Sequence, residues 1–172
     1  MSGTGQWLEP EVLNKGEGSG ADMVVKHTTS SGKVFYGIGV PIIHWRNPLG
    51  PTWCYVLPGD RKITLIDTGM PGSLELLEKG LNHLDYSLDD VGSVIITHGH
   101  MDHDGNAAQI ANKVGAEIVG HEIYSKLLNV DLWRERRPDG DNQPKTPDML
   151  QFEASIKMLR EAKKELKSVR SV

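Results

Sequence analysis

The sequence predicts an α/β domain in which strands and helices alternate along the chain and pack in layers. Short runs rich in β-branched residues recur and end in turn sequences, which is typical of strands. Between them, two segments repeat apolar residues at the three- and four-residue spacing of an amphipathic helix. Residues 91–97 are apolar on both faces of a predicted strand, as in the interior of a covered sheet.

The composition is that of an ordinary globular domain. The chain has 172 residues, of which 38% are hydrophobic and 24% charged, and these values argue against disorder, collagen and fibrous repeats. A net charge of −4 provides no basic field, so neither nucleic acid nor a membrane surface is expected as a partner. No run approaches 18 apolar residues and the first 20 have no apolar core, so we expect no membrane span and no signal peptide.

The single cysteine, Cys54, excludes an internal disulfide. Because unpaired thiols fit a reducing compartment, we expect a cytoplasmic protein. Cys54 stands in an apolar run without a catalytic-cysteine context, so we expect a buried, inert thiol.

The first half of the chain is predicted to be mainly β-structure. Residues 1–20 hold five glycines and are expected to form a flexible arm, with a candidate anchor at Trp7 and Leu8. Residues 23–25 and 34–36 flank a Ser-Ser-Gly turn and predict a hairpin. A Pro-rich loop covers residues 47–51, and strands follow at residues 53–57 and 63–66.

The two helical patterns follow. An apolar stripe at Leu74, Leu77, Leu81 and Leu84 predicts the first helix, with Ser73 as its N-cap. After the strand at residues 91–97, a second helix begins at Asn106 and ends at Gly115, and residues 117–120 form another strand.

The chain therefore divides into the arm, an α/β domain at residues 21–130, an exposed linker at 131–147 and a C-terminal helix at 148–172. Thr146 is the expected N-cap of this last helix, and Pro147 takes its first position. Its predicted apolar stripe consists of Met149, Phe152, Ile156, Leu159 and Leu166.

The segment that predicts chemistry is His98-x-His100-x-Asp102-His103, directly after the buried strand. In extended backbone His98 and His100 project to the same side and can bind one cation through neutral ring nitrogens. Asp102 and His103 are adjacent, cannot share that face, and can serve a second cation about 3.5–4 Å from the first. Gly99 and Gly105 permit the tight backbone path that such a cluster needs.

At these residues the sequence resembles the metallo-β-lactamase superfamily. The resemblance covers residues 34–129 and includes Asp67-Thr68-Gly69 after a strand, a Leu-rich helix, and the His motif after the next strand. It implies an αββα sandwich and a hydrolase with two zinc ions, iron or manganese being alternatives. It also implies that His98 and His100 bind the first metal and that Asp102 and His103 bind the second.

The same resemblance implies roles beyond metal binding. Asp102 would orient the attacking water, which makes it the candidate catalytic residue, and Asp67 would fix the ligand loop by hydrogen bonds. For Asp67 the alternative is a strand-ending residue that caps the next turn. His121 either lines the site or has a structural role, and Trp45 and Trp53 either contact substrate or pack in the core.

The family's second-half ligands have no counterpart in this sequence, because His121 is the one histidine after His103. We therefore expect the first half of the sandwich plus a C-terminal helix, completed by a second copy of the chain or by a complementing chain, unless the product is degenerate. The expected activity is hydrolysis of an ester, thioester, lactone or amide-like bond in a small molecule. The alternative is a non-catalytic binding or regulatory protein, or a subunit that contributes half a site.

Overall fold

The computed structural model describes residues 8–17, 20–42, 50–127, 146–166 and 168–172. The strands are β1 Glu11–Asn14, β2 Val24–Thr28, β3 Val34–Val40, β4 Thr52–Leu57, β5 Ile63–Ile66, β6 Val91–Ile96, β7 Glu117–Gly120 and β8 Arg170–Ser171. The helices are α1 Leu74–Asn82, α2 Met101–Asp104, α3 Ala107–Val114, α4 Glu122–Leu127 and α5 Pro147–Glu165, with a 3₁₀ turn at Leu88–Asp90.

The eight strands form one mixed sheet in sequence order. Strands β1 to β5 pair antiparallel, and β5 to β8 pair parallel. Parallel neighbours need a crossover connection, and the crossovers after β5 and β6 contain the helices α1 and α3. This order confirms the predicted α/β class.

The hydrophobic core lies between the sheet and its helices. Strand β4 alternates buried and half-buried residues, so one of its faces packs inward through Cys54 and Val56. Leu77 of α1 and Ile110 of α3 cover that face and are fully buried with it. In the described part of the chain this makes one sheet layer and one helical layer, half of the layers of an αββα sandwich.

Local signals set several element ends where the sequence placed them. The hairpin of β2 and β3 turns at Gly32, which has φ 80°, and α3 ends at Gly115, which has φ 72°. Thr146 accepts the N–H of Met149 as the N-cap of α5, with Pro147 in the first turn. Ser73 stands at the start of α1 but does not cap it, because its hydroxyl donates to the carbonyl of Met70 at 2.7 Å.

The N-terminal arm differs from the flexible segment that we predicted. Residues Glu11–Asn14 form β1 against β2, and Glu11 pairs with Lys26 at 3.0 Å. The open edge of β2 recruits these residues, a tertiary effect that a glycine-rich composition does not reveal. Leu8 is 50% exposed, and its partner in the expected anchor, Trp7, lies outside the described residues.

The C-terminal helix also ends earlier than predicted. Helix α5 stops at Glu165, and β8 then pairs parallel with β7, because Leu166 and Val169 pack against the core from an extended segment. Within the predicted stripe, Ile156 and Leu159 are buried, whereas Met149 is 39% exposed.

Several predicted features lie outside the described residues. They are residues 131–145 of the predicted linker, most of the Pro-rich loop, Trp45 and the side chain of Phe152. Within the described helices, none combines the length and apolar character needed to cross a bilayer.

Candidate metal centre

The candidate site lies at the carboxyl ends of two neighbouring parallel strands. Strand β5 ends at Ile66 and leads into Asp67, and β6 ends at Ile96 and leads into residues 97–103. Because β5 and β6 pair side by side, the two loops that follow them meet at one edge of the sheet. Such edges are the usual ligand sites of α/β folds.

Asp67 joins these two loops. The residue is 4% exposed and has φ 61°, a left-handed conformation that Asp and Asn adopt more readily than most residues. Its Oδ1 accepts the backbone N–H of Thr97 at 2.9 Å, and its Oδ2 accepts the Thr97 hydroxyl at 2.7 Å. Nδ1 of His103 lies 2.8 Å from the same Oδ2. The carboxylate therefore bonds to the neighbouring loop, over and above any capping of its own turn.

These bonds set the tautomers of two histidines. An ionised carboxylate only accepts hydrogen bonds, so His103 presents a proton at Nδ1 toward Asp67, and in the neutral ring the lone pair is then at Nε2. The Thr97 hydroxyl donates its one proton to Asp67, so at 3.0 Å it accepts from Nδ1 of His98. Asp67 thus orients His103 directly and His98 through the hydroxyl of Thr97, so that Nε2 of each neutral ring can face a cation.

Three imidazoles cluster beside this network. The ring centre of His98 lies 4.6 Å from that of His100 and 4.0 Å from that of His103. Burial lowers the pKa of His98 below its ordinary value, and the positive charges that His103 and His100 carry when protonated lower it further. A lowered pKa keeps the ring of His98 neutral, which is the form that binds metals.

Asp102 completes the cluster. Its Oδ2 accepts the hydroxyl of Thr52 at 3.2 Å and lies 3.3 Å from Nε2 of His103. Two donors on one tetrahedral zinc at about 2.0–2.2 Å lie about 3.4 Å apart, so this pair has the spacing of two ligands on one cation.

The donor types suit a divalent cation, but within the described residues they do not form a complete set of ligands. Neutral imidazoles and a carboxylate are the ligands that zinc takes in catalytic sites, with iron and manganese as further possibilities for such donors. In the described ranges, no group of three or more His, Cys, Asp or Glu side chains converges well enough to hold a metal ion. His98, His100 and His103 therefore form a cluster, and His103 with Asp102 forms one pair at ligand spacing. Together they do not surround a single metal position.

His121 lies at the end of β7, where α4 begins. Its ring is exposed, and its Nδ1 accepts the N–H of Ile123 at 3.2 Å. This contact gives His121 a capping role at the start of α4. The structure describes no bond between His121 and the His98 cluster.

The sequence did not predict the buried hydrogen bonds, here called the buried joint, by which Thr68 and Asn106 connect the two loops of the site. The N–H of Thr68 donates to the carbonyl of His103 at 2.7 Å, and the amide of Asn106 donates to the carbonyls of Thr68 and Met70 at 2.7 and 2.8 Å. Asn106 is fully buried, although its position at a helix start predicted only a boundary. Gly105 is required here, because a Cβ would lie 2.4 Å from the backbone nitrogen of Pro71.

Comparison with curated proteins finds two relatives over part of the chain. Ribonuclease J of Methanocaldococcus jannaschii is 31% identical over 74 residues, 41% of this chain and 16% of the relative. The uncharacterized protein YobT of Bacillus subtilis is 32% identical over 100 residues, 58% of this chain and 40% of the relative. The chain thus spans less than half the length of either relative.

Solved structures of β-lactamases are also similar to part of the chain. BJP-1, a subclass B3 metallo-β-lactamase of Bradyrhizobium japonicum, matches at 27% identity with a TM-score of 0.46, over 55% of this chain and 32% of its own. A β-lactamase from Chitinophaga pinensis matches at 26% identity with a TM-score of 0.44, over 46% of this chain and 31% of its own. A family model described as the metallo-β-lactamase superfamily matches residues 47–165. More than half of the chain fits that model, and the chain belongs to the metallo-β-lactamase superfamily.

Proposed function

We propose that the chain is a metal-dependent hydrolase that acts on a small molecule and binds its metal through His98, His100, Asp102 and His103. The observation that carries this proposal is the ligand-spaced pair: Nε2 of His103 lies 3.3 Å from Asp102 Oδ2. Asp67 holds the same ring in the tautomer that a metal requires. We expect zinc, two ions when the site is complete, with iron or manganese as alternatives.

The chain's own residues would divide the work as follows. A bound zinc ion supplies Lewis acidity that brings the pKa of water near neutrality. Asp102 is 27% exposed beside the histidine cluster, where its carboxylate can orient a water and take up its proton. Thr52 donates its hydroxyl to Oδ2 of that carboxylate, the same oxygen that lies near Nε2 of His103. Asp67 keeps His103 oriented, and through Thr97 it orients His98.

The substrate class follows from charge and from the superfamily's chemistry. A net charge of −4 supports a small molecule with an ester, thioester, lactone or amide-like bond rather than a polyanion. One relative is named ribonuclease J, so a phosphodiester is the competing substrate class that the assay has to include. Cys54 is buried and unpaired, and burial raises the pKa of its thiol, so a reducing, cytoplasmic location suits the chain.

A second candidate is a subunit that contributes half a site. The incomplete ligand sphere of the described residues favours it. In this form the remaining ligands come from a second copy of the chain or from another polypeptide, and activity appears only in the assembly. Size-exclusion chromatography with light scattering separates a monomer from a homodimer.

Metal content and hydrolysis test both candidates. The purified chain is incubated with zinc, desalted and assayed with p-nitrophenyl acetate, a thioester, a lactone and bis-p-nitrophenyl phosphate. About two equivalents of zinc with turnover of a carbonyl substrate support the enzyme, and turnover of the phosphodiester alone overturns the substrate class. Zero or one equivalent without turnover overturns the enzyme and supports the half-site subunit.

Variants then locate the site. His98→Ala is expected to lose metal and activity together, because it removes one imidazole of the cluster. His83→Ala is the matched control, an exposed histidine whose ring contacts Asn14 and not the cluster. Metal binding by His98→Ala at the level of His83→Ala would place the site elsewhere.

A further inference from the structure

We propose that Lys163, in the C-terminal helix α5, is a positioning residue for the metal-ligand segment. Its ammonium pairs with the buried carboxylate of Asp104 and so holds α2 in the orientation in which Asp102 and His103 share a cation. This inference rests on the proposed metal site.

Asp104 is an unusual residue to follow a ligand pair. It is the last residue of α2, it is 1% exposed, and its carboxylate faces the protein interior. Oδ2 accepts the hydroxyl of Tyr124 at 3.1 Å, and Oδ1 has no hydrogen-bond partner in the described part of the chain. A buried carboxylate with half of its acceptors unused depends strongly on a cationic partner.

Lys163 is that partner. Its Nζ lies 2.6 Å from Asp104 Oδ2, and its side chain is 21% exposed, so water screens this pair far less than a surface pair. The two residues stand 59 positions apart, which ties α5 directly to the helix that carries the ligands. Removing the lysine alone would leave an unpaired buried charge at the end of α2.

Helix α5 meets the site loops at a second point. Ile156 packs with Met70 and Met101 in one small buried cluster. Met70 follows Asp67 in the loop after β5, and Met101 stands between His100 and Asp102. Helix α5 therefore contacts both loops that form the candidate centre, through an apolar contact at Ile156 and a charged one at Lys163.

The ligand segment needs such support because α2 is short. A helix of four residues is not stable on its own, so tertiary contacts set its orientation. His103 lies directly before Asp104, and a shift of the Asp104 carboxylate displaces the ring of His103 relative to Asp102. Loss of a group bonded directly to a metal ligand weakens metal binding by about 10–100-fold, and we expect a support one residue further out to act at the lower end of that range.

The test uses cobalt(II) as a spectroscopic probe of the full-length chain. Its affinity is measured by competition with a chromophoric chelator, and its visible d–d spectrum reports ligand geometry. Lys163→Met removes the charge and keeps the length of the side chain, and Lys163→Arg restores the charge. Lys164→Met is the matched control, because this neighbouring lysine pairs at the surface with Glu161 and both side chains are more than half exposed.

We expect Lys163→Met to bind cobalt at least about tenfold more weakly than the wild type and to show an altered d–d spectrum. Lys163→Arg is expected to recover both the affinity and the spectrum. Lys164→Met is expected to match the wild type in both. The double variant Lys163→Met, Asp104→Asn removes both charges and is expected to fold even where the single variant does not. It is also expected to bind cobalt more weakly than the wild type.

Wild-type affinity and spectrum in the folded Lys163→Met or double variant would overturn the positioning role and leave the proposed metal site intact. Absence of cobalt binding by the wild type would overturn the metal site and this inference with it.

Discussion

The substitution Asn106→Ala tests the buried joint that holds the two site loops together. Asn106 is fully buried, and its side-chain amide donates to the carbonyls of Thr68 and Met70. Truncation strands the carbonyl of Thr68, at about 1–3 kcal/mol, whereas the carbonyl of Met70 still accepts the hydroxyl and the N–H of Ser73. Part of this is offset, because the variant also loses the Asn106 Oδ1, a buried atom without a partner in the described residues. We expect a net loss of about 2 kcal/mol, or about 4–8 °C in Tm for a chain of this length.

The assay is thermal and urea unfolding of the metal-free protein, followed by circular dichroism. Asn112→Ala is the matched control on the same helix, since the Asn112 amide donates to the carbonyl of Ala162 at an exposed position. Water replaces that bond, so we expect the control to lose less than about 1 kcal/mol. Equal stabilities of the two variants would refute the assignment of Asn106 as the joint between the loops.

Two further predictions concern hydroxyl and carboxylate contacts. Thr97→Val removes the hydroxyl that joins Asp67 to His98. We expect this variant to bind zinc about tenfold more weakly in chelator competition, and Thr97→Ser to restore the affinity. An unchanged zinc affinity would contradict the tautomer assigned to His98. Hydrogen bonds from the backbone and hydroxyl of Ser87 hold the pKa of Asp90 below its ordinary value of 3.8. That stabilisation is present above the ordinary pKa and is lost as pH falls through the folded pKa. Asp90→Asn should therefore be less stable than the wild type at pH 7 in urea unfolding, with a difference that closes in strong acid; a constant difference would exclude this origin.

Elements with strong local signals were predictable from sequence. Strand β7 has the bounds that the sequence predicted, because a short apolar run follows the Gly115 that ends α3. The ligand segment was equally visible, since its imidazoles and carboxylate lie within six residues. In such cases the residues that determine the structure are neighbours in the chain.

Elements that depend on distant partners were not predictable. Strands β1 and β8 form at the edges of the sheet, and β8 requires the free side of β7 rather than a signal of its own. The supports of the site are distant as well: Thr52 reaches Asp102 across 50 positions, and Asp67 reaches His103 across 36. No spacing rule in a single sequence reports such pairs.

The distance in sequence between the ligands and their supports has a consequence for folding. A peptide of residues 97–105 contains every proposed ligand and none of the partners that orient them from β4, the loop after β5 and α5. Under the proposed function, metal binding would therefore depend on the folded sheet, which supplies the residues that orient the ligands. In an unfolded or newly made chain the histidines would lack the partners that orient them, so the chain would bind a cation only weakly before the sheet has formed.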